Sequence, residues 1–142
     1  MCIFGGWMFA AAMDLIVAAD DAMFLPALMQ YFSIPWDLPL RKAKEAVFRD
    51  RFIGAEEACR FGFVNYVVPR DRLEEETMAL ANEIAENDPF TLRMAKLAMN
   101  SAQDEMGFSN SIRNAHSQYS QYMVHGLDSY TKDKLEGRGF RR

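Results

Sequence analysis

Hydrophobic residues change their spacing about halfway along this chain. Before Pro69 they fall in short runs broken by glycine, proline and aspartate, and after it they recur every three or four positions. The first pattern predicts short strands and helices, the second longer amphipathic helices. Trp7 to Met13, preceded by Gly5-Gly6, reads as a short alanine-rich helix. Leu15 to Ala19 reads as a buried strand, and Ala22 to Leu25 as a second short strand. The segment from Pro26 to Pro39, with Pro35, Trp36 and two more aromatics, predicts an irregular packed loop. Asp37 is placed to cap the helix that follows, which runs to about Phe48 with Pro39 tolerated in its first turn.

The run from Ala55 to Pro69 packs a helix, a stop and a strand into one unit. Ala55, Ala58, Cys59 and Phe61 give a small-faced helix, Gly62 can take the left-handed conformation that ends it, and Phe63 to Val68 favour a strand that Pro69 closes. Three helices follow. Asp71 predicts the cap of a helix carrying Leu73, Met78, Ala81 and Ile84 and ending near Asn87. Asp88-Pro89 starts the next, whose stripe of Phe90, Met94, Leu97 and Ala98 should face a core before Gly107 ends it. Ser109 or Asn110 predicts the cap of a third, through Ile112, Ala115, Tyr119, Tyr122 and Met123 to Gly126. No internal repeat or glycine-serine linker interrupts the chain, so residues 1–142 are expected to form one domain.

Composition narrows the function classes. A chain of 142 residues, 50% hydrophobic and 25% charged, can bury a real core. A net charge of −4 gives no electrostatic reason to expect nucleic acid or an anionic membrane as partner. The basic stretch Lys132 to Arg142 reads as a solvated C-terminus. Cys2 and Cys59 form neither a C-x-x-C nor a zinc-ligand spacing, so a reducing cytoplasm is the expected setting and no metal site is indicated. Met1 to Met13 is apolar but lacks a basic leader, and it is shorter than the roughly 20 residues that span a bilayer.

Several segments resemble the enoyl-CoA hydratase/isomerase (crotonase) superfamily. Ala55 to Pro69 is similar to its "A-E-E-A…G-x-V-N-x-V-V-P" wording. Phe4-Gly5-Gly6, Asp14 to Ala19 and Ala22-Met23-Phe24 resemble "G-G-G…C-D-I-I-x-A…A-x-F". Arg41 to Ile53 resembles "K-A-x-E-x-x-F-T-G-D-R-I", and Pro89-Phe90 with Lys96, Ala98 and Asn100 resembles "P-x-x-x-x-x-K-x-A-x-N". The resemblance implies an α/β, truncated crotonase-like (ClpP/crotonase) fold: a remnant of the β-α spiral over residues 1–69, then a helical oligomerisation region over residues 70–142. Complete members carry roughly a hundred residues ahead of the Gly-Gly passage, so the N-terminal half is expected to be absent. That half includes a loop supplying one of two N–H donors to the thioester oxygen.

By the same resemblance Gly5, with Gly6 beside it, matches the remaining backbone donor of the oxyanion hole. Lack of a side chain lets a ligand approach the backbone at a helix N-terminus, where the helix dipole favours negative charge. The other reading of Gly5-Gly6 is a tight strand-to-helix turn. The hydratases use two glutamates as acid and base. Here the first position is Met8, and the second is Leu28 if Ile34-Pro35 matches "I-P-G" or falls in a gap if Tyr31 to Trp36 matches "Y-F-x-x-P-W". No catalytic side chain is therefore assigned. Asp14, Asp20 and Asp21 could replace them, though Asp20-Asp21 also reads as a turn between strands. His116 and His125 fall on opposite faces of one helix and cannot share a site.

The resemblance implies a family protein that takes an acyl-CoA thioester as substrate and needs no separate cofactor. A non-catalytic oligomeric or partner-binding remnant of the fold is the alternative. A homo-oligomer is expected, a trimer ahead of a dimer. The ten methionines read as core filler or as the lining of an acyl pocket.

Overall fold

In the computed structural model, which describes residues 1–135 with side chains through residue 124, three short strands form the first sheet. Strand β1 (Cys2–Ile3) lies parallel to β3 (Met23–Leu25), pairing Cys2 with Phe24 and Ile3 with Leu25. Strand β4 (Ile53–Gly54) runs antiparallel on the other side of β3, pairing Phe24 with Ile53. A second sheet pairs β2 (Val17–Ala19) in parallel with β5 (Tyr66–Val68), Val17 opposite Tyr66. The expected strand from Leu15 is shorter at its start, because Leu15 is exposed and Ile16 is held by Asn65 instead, whose Oδ1 accepts from Ile16 N at 2.8 Å.

Helix α1 spans Gly5–Ala11, so the two glycines open the helix rather than precede it. Its Trp7 is the centre of the core. The indole stacks on Phe63 at 4.0 Å and 4°, and Phe24 stands edge-on to both rings at 6.3 and 5.5 Å. Edge and face contacts of this kind match the negative faces of the rings to their positive edges. Ala43, Ala46, Ala55 and Ala58 let helices α3 (Leu40–Arg49) and α4 (Ala55–Arg60) close on this cluster. Arg51 ties the two helices: its guanidinium donates two bonds to Glu57, at 2.8 and 2.7 Å, and lies 3.5 Å from Glu45.

The Ala55–Pro69 unit ends its helix as expected. Gly62 takes φ +84°, and Phe63 N donates back to Ala58 O at 3.0 Å. The strand itself starts later, at Tyr66, since Phe63 and Val64 are used as core residues in the turn. The proline-rich segment is a loop containing one helical turn, α2 (Ile34–Asp37). Asp37 does not cap α3. Pro39 stands at that N-cap, and the Asp37 carboxylate is drawn to the core instead.

The helical half is α5 (Leu73–Ala85), α6 (Pro89–Glu105) and α7 (Phe108–Leu135). Asp71 is not the cap of α5. A 3-10 turn over Arg70–Arg72 occupies that corner and leaves Arg72 at the N-cap. Asp88 does cap α6, accepting from Thr91 N at 2.7 Å, and Gly107 ends that helix at φ +102°. Neither Ser109 nor Asn110 caps α7, which already starts at Phe108, and Ser109 Oγ donates to Asp104 at 2.5 Å. The helix also runs through Gly126; a glycine costs about 1 kcal/mol in a helix interior, which many other helical bonds offset. Residues 136–142 of the basic stretch lie outside the described residues.

The expected core-facing stripe of α6 is not buried within the chain. Phe90 is 71% exposed, Met94 46% and Leu97 49%, because the described residues that α6 leans on are chiefly those of α7. A Lys96–Asp14 ion pair also ties it to the loop after α1.

Candidate functional site

The first turn of α1 is built from a strained residue and two glycines. Phe4, the N-cap, has φ 49° and ψ −101°, which is uncommon for a bulky residue and costs of order 1–3 kcal/mol. Two bonds hold it there: Phe4 N donates to Leu25 O at 3.1 Å, and Phe4 O accepts from Met8 N at 3.2 Å. The left-handed corner between strand and helix is therefore Phe4. Gly5 and Gly6 have ordinary helical backbone, so the reading of them as the turn itself does not hold.

Space distinguishes the two glycines. A Cβ on Gly6 would lie 3.4 Å from Cys2 Sγ, whereas a Cβ on Gly5 would meet nothing within 4 Å. Neither backbone conformation nor packing among the described residues calls for glycine at Gly5, and glycine costs a helix about 1 kcal/mol relative to alanine. Its N–H lies ahead of the first intrahelical bond, the one from Met8 N, and so belongs to the group that an α-helix leaves without an internal acceptor. An open glycine N–H at a helix start can meet the oxygen of a polarised carbonyl.

Of the carboxylates weighed from the sequence, Asp14 and Asp21 are ion-paired elsewhere. Asp14 pairs with Lys96. Asp20-Asp21 makes the turn between β2 and β3, with Ala22 N donating to Ala19 O at 2.9 Å. Two bonds from Arg70 hold Asp21 below the usual carboxylate range. Met8 and Leu28, at the glutamate positions, are half-buried apolar side chains. His116 is exposed on α7, and the side chain of His125 lies outside the described residues. Cys59 is half-buried and free, and its thiol reaches Asn65 O at 3.8 Å. No cluster suited to a metal ion occurs among the described residues.

Sequence reasoning missed the role of Asp37. Its Oδ2 accepts from Trp7 Nε1 at 3.1 Å and from Ser33 Oγ at 2.6 Å, across 30 and 4 residues of chain. Burial pushes its pKa up, against the lowering effect of the two bonds. Nearby Tyr31 is raised by its own burial and then by the Asp37 charge. The available signal was a Ser and an Asp four apart around Pro35-Trp36, one turn of helix that puts both on one face.

A separate groove of about 270 Å3 lies between the second sheet and α5, lined by Val17, Tyr66, Val68, Leu80, Glu76 and Glu83 among others. It includes none of Gly5, Gly6 and Asp37.

A β-α first half followed by exposed helices agrees with comparison to known proteins. The family model for enoyl-CoA hydratase/isomerase matches residues 1–134, and the chain belongs to that family. It is 36% identical over 112 residues to a Mycobacterium tuberculosis protein assigned as the enoyl-CoA hydratase EchA13, covering 73% of this chain and 35% of that one. Carnitinyl-CoA dehydratase of Escherichia coli K12 is 34% identical over 101 residues, 65% of this chain and 39% of the other. A Mycobacterium smegmatis structure assigned as an enoyl-CoA hydratase superposes with a TM-score of 0.86 at 40% identity, covering 89% of this chain and 54% of that one. The chain thus spans under half the length of these two sequence relatives and about half of that solved chain. The fold is that of the crotonase superfamily, mixed α/β with a helical C-terminal region. No helix among the described residues is long and apolar enough to cross a membrane.

Proposed function

We propose that this chain binds the thioester end of an acyl-CoA at the first turn of α1, with Gly5 N–H on the thioester oxygen. The observation that carries this reading is Gly5 itself, a glycine in open space that neither φ nor packing requires, behind a strained N-cap. The CoA thioester is the substrate, and no further cofactor enters the reading. Relatives named as an enoyl-CoA hydratase and a carnitinyl-CoA dehydratase support a CoA thioester as the ligand class. Two free cysteines fit a reducing cytoplasm.

Thermal denaturation of the full chain with and without butyryl-CoA tests the reading. A ligand at 100 times its Kd adds about 2.7 kcal/mol of stability, and no shift at saturating thioester would overturn it. Classical hydration of crotonyl-CoA is expected to be absent, because Met8 and Leu28 offer no acid-base group. Steady-state turnover in the usual range of about 1–10³ s⁻¹ would refute that expectation.

A second reading, an oligomeric remnant without catalysis, is favoured by the exposed apolar face of α6. In both readings we take the chain to be a homo-oligomer, a trimer in preference to a dimer, since α6 leaves more large apolar side chains in water than burial energetics favour.

A further inference from the structure

The groove between the second sheet and α5 has no part in the thioester reading. Val17, Val68 and Leu80 give it apolar walls, Tyr66 lines it with a ring that is 53% exposed, and Glu76 and Glu83 place two carboxylates along it. Seven residues apart, those carboxylates stand about two helical turns from each other. At about 270 Å3 the groove is smaller than the clefts of about 300–1,000 Å3 that take drug-sized ligands, and it suits one large side chain with its flanking residues.

Charge narrows the occupant further. Between Leu73 and Ala85, helix α5 carries four glutamates and no lysine or arginine. Arg72, just ahead of the helix, pairs with Glu75 and Glu76 in the first turn. Glu83 lies eleven residues on, about 16 Å along the axis, which is beyond the Debye length of about 8 Å, so Arg72 does not neutralise it. A segment that fits this groove therefore carries a large apolar side chain beside positive charges. The chain itself contains one such segment, Arg138-Gly139-Phe140-Arg141-Arg142, at the end of the basic stretch that starts at Lys132.

The course of α7 decides whose groove that segment reaches. The helix starts against the loop before α3, with the Phe108 ring 5.4 Å from Trp36 and 6.3 Å from Tyr31. Ala115 is the last buried residue through Val124, and the helix continues to Leu135. Those twenty residues past Ala115 carry the backbone about 30 Å onward at 1.5 Å each. Seven extended residues span at most about 25 Å, so residues 136–142 cannot reach back to the level of Ala115. Helix α7 thus delivers the basic segment toward another molecule.

We propose that residues 138–142 of one copy dock in the α5 groove of a second copy, with Phe140 among Val17, Val68 and Leu80 and the arginines against Glu83 and Glu76. The proposal takes self-association from the oligomer reading above and is independent of the thioester site.

Photo-cross-linking of the full chain tests it, with benzoylphenylalanine in place of Phe140 and an equal mixture of 15N-labelled and unlabelled chains. Mass spectrometry should find adducts to peptides within residues 66–83, half of them joining a labelled chain to an unlabelled one. Glu83→Arg should cut the adduct yield about two- to fivefold, the scale of one exposed ion pair, and adding Arg141→Glu and Arg142→Glu to that chain should restore it. Glu83 is exposed, so the substitution leaves the fold intact. Adducts joining only chains of one isotope would show the segment on its own chain and overturn the proposal. Adducts outside the groove, or a yield indifferent to Glu83→Arg, would overturn it as well. Light scattering on the same samples separates the two readings: an oligomer without the adduct overturns the docking alone, and a monomer overturns the oligomer and the docking together.

Discussion

Replacing Gly5 by alanine should make the protein more stable and a poorer ligand. Among the described residues the added methyl meets no atom within 4 Å, and the positive-φ glycines there are Gly62 and Gly107, not Gly5. Alanine at a compatible glycine position stabilises by about 0.4–1 kcal/mol, mostly by restricting the unfolded chain. For a chain of this size, with about 2–4 °C per kcal/mol, the melting temperature should rise by about 1–4 °C. The same methyl projects where a thioester would approach the backbone. Overpacking of a fitted contact costs about 1–3 kcal/mol, so the butyryl-CoA Kd should weaken by about 5- to 150-fold. Differential scanning fluorimetry gives the first quantity and isothermal titration the second. Gly5→Ala with a higher melting temperature and undiminished affinity would refute the argument that this glycine is kept open for a ligand. A lower melting temperature would refute the reading of its space and conformation.

Three further outcomes follow from the geometry. Gly62→Val should destabilise more than Gly107→Val. Both positions have positive φ and open space, so the backbone strain of about 1–3 kcal/mol is shared. After Gly62, though, Phe63 and Val64 are buried in the core, and matching urea midpoints for the two variants would refute this. Because burial raises the folded-state pKa of Asp37 above its unfolded value, its contribution is full below the ordinary carboxylate pKa of about 4 and is lost as pH rises through the folded value. The stability of wild type relative to Asp37→Asn should therefore fall as pH rises above about 4, and a rise would contradict the sign. Light scattering coupled to size exclusion should give three times the chain mass, with Leu97→Asp on exposed α6 reducing assembly, and a monodisperse wild-type monomer at tens of micromolar would reject the oligomer.

Features that depend on a few neighbouring residues were legible in the sequence. Gly62 and Gly107 reverse the chain because positive φ is cheap for glycine, and Asp88 caps α6 because its carboxylate reaches an N–H three residues on. The wording around Ala55 to Pro69 was enough for the family; its helix stop at Gly62 is local, whereas its strand forms only by pairing with β2 about fifty residues earlier. Capping by Asp37 and Asp71 failed for a different reason: competing partners decided those positions. Asp37 is taken by an indole 30 residues away, and Asp71 by the 3-10 turn that follows Pro69. The left-handed corner at Phe4 could not be read from a phenylalanine, because it is held by Leu25 O on the neighbouring strand. The apolar period of α6 showed that a face exists to be buried, while only the tertiary arrangement showed that this chain leaves it in water. Periodicity reports the need for a partner surface, and packing decides whether the same polypeptide supplies it.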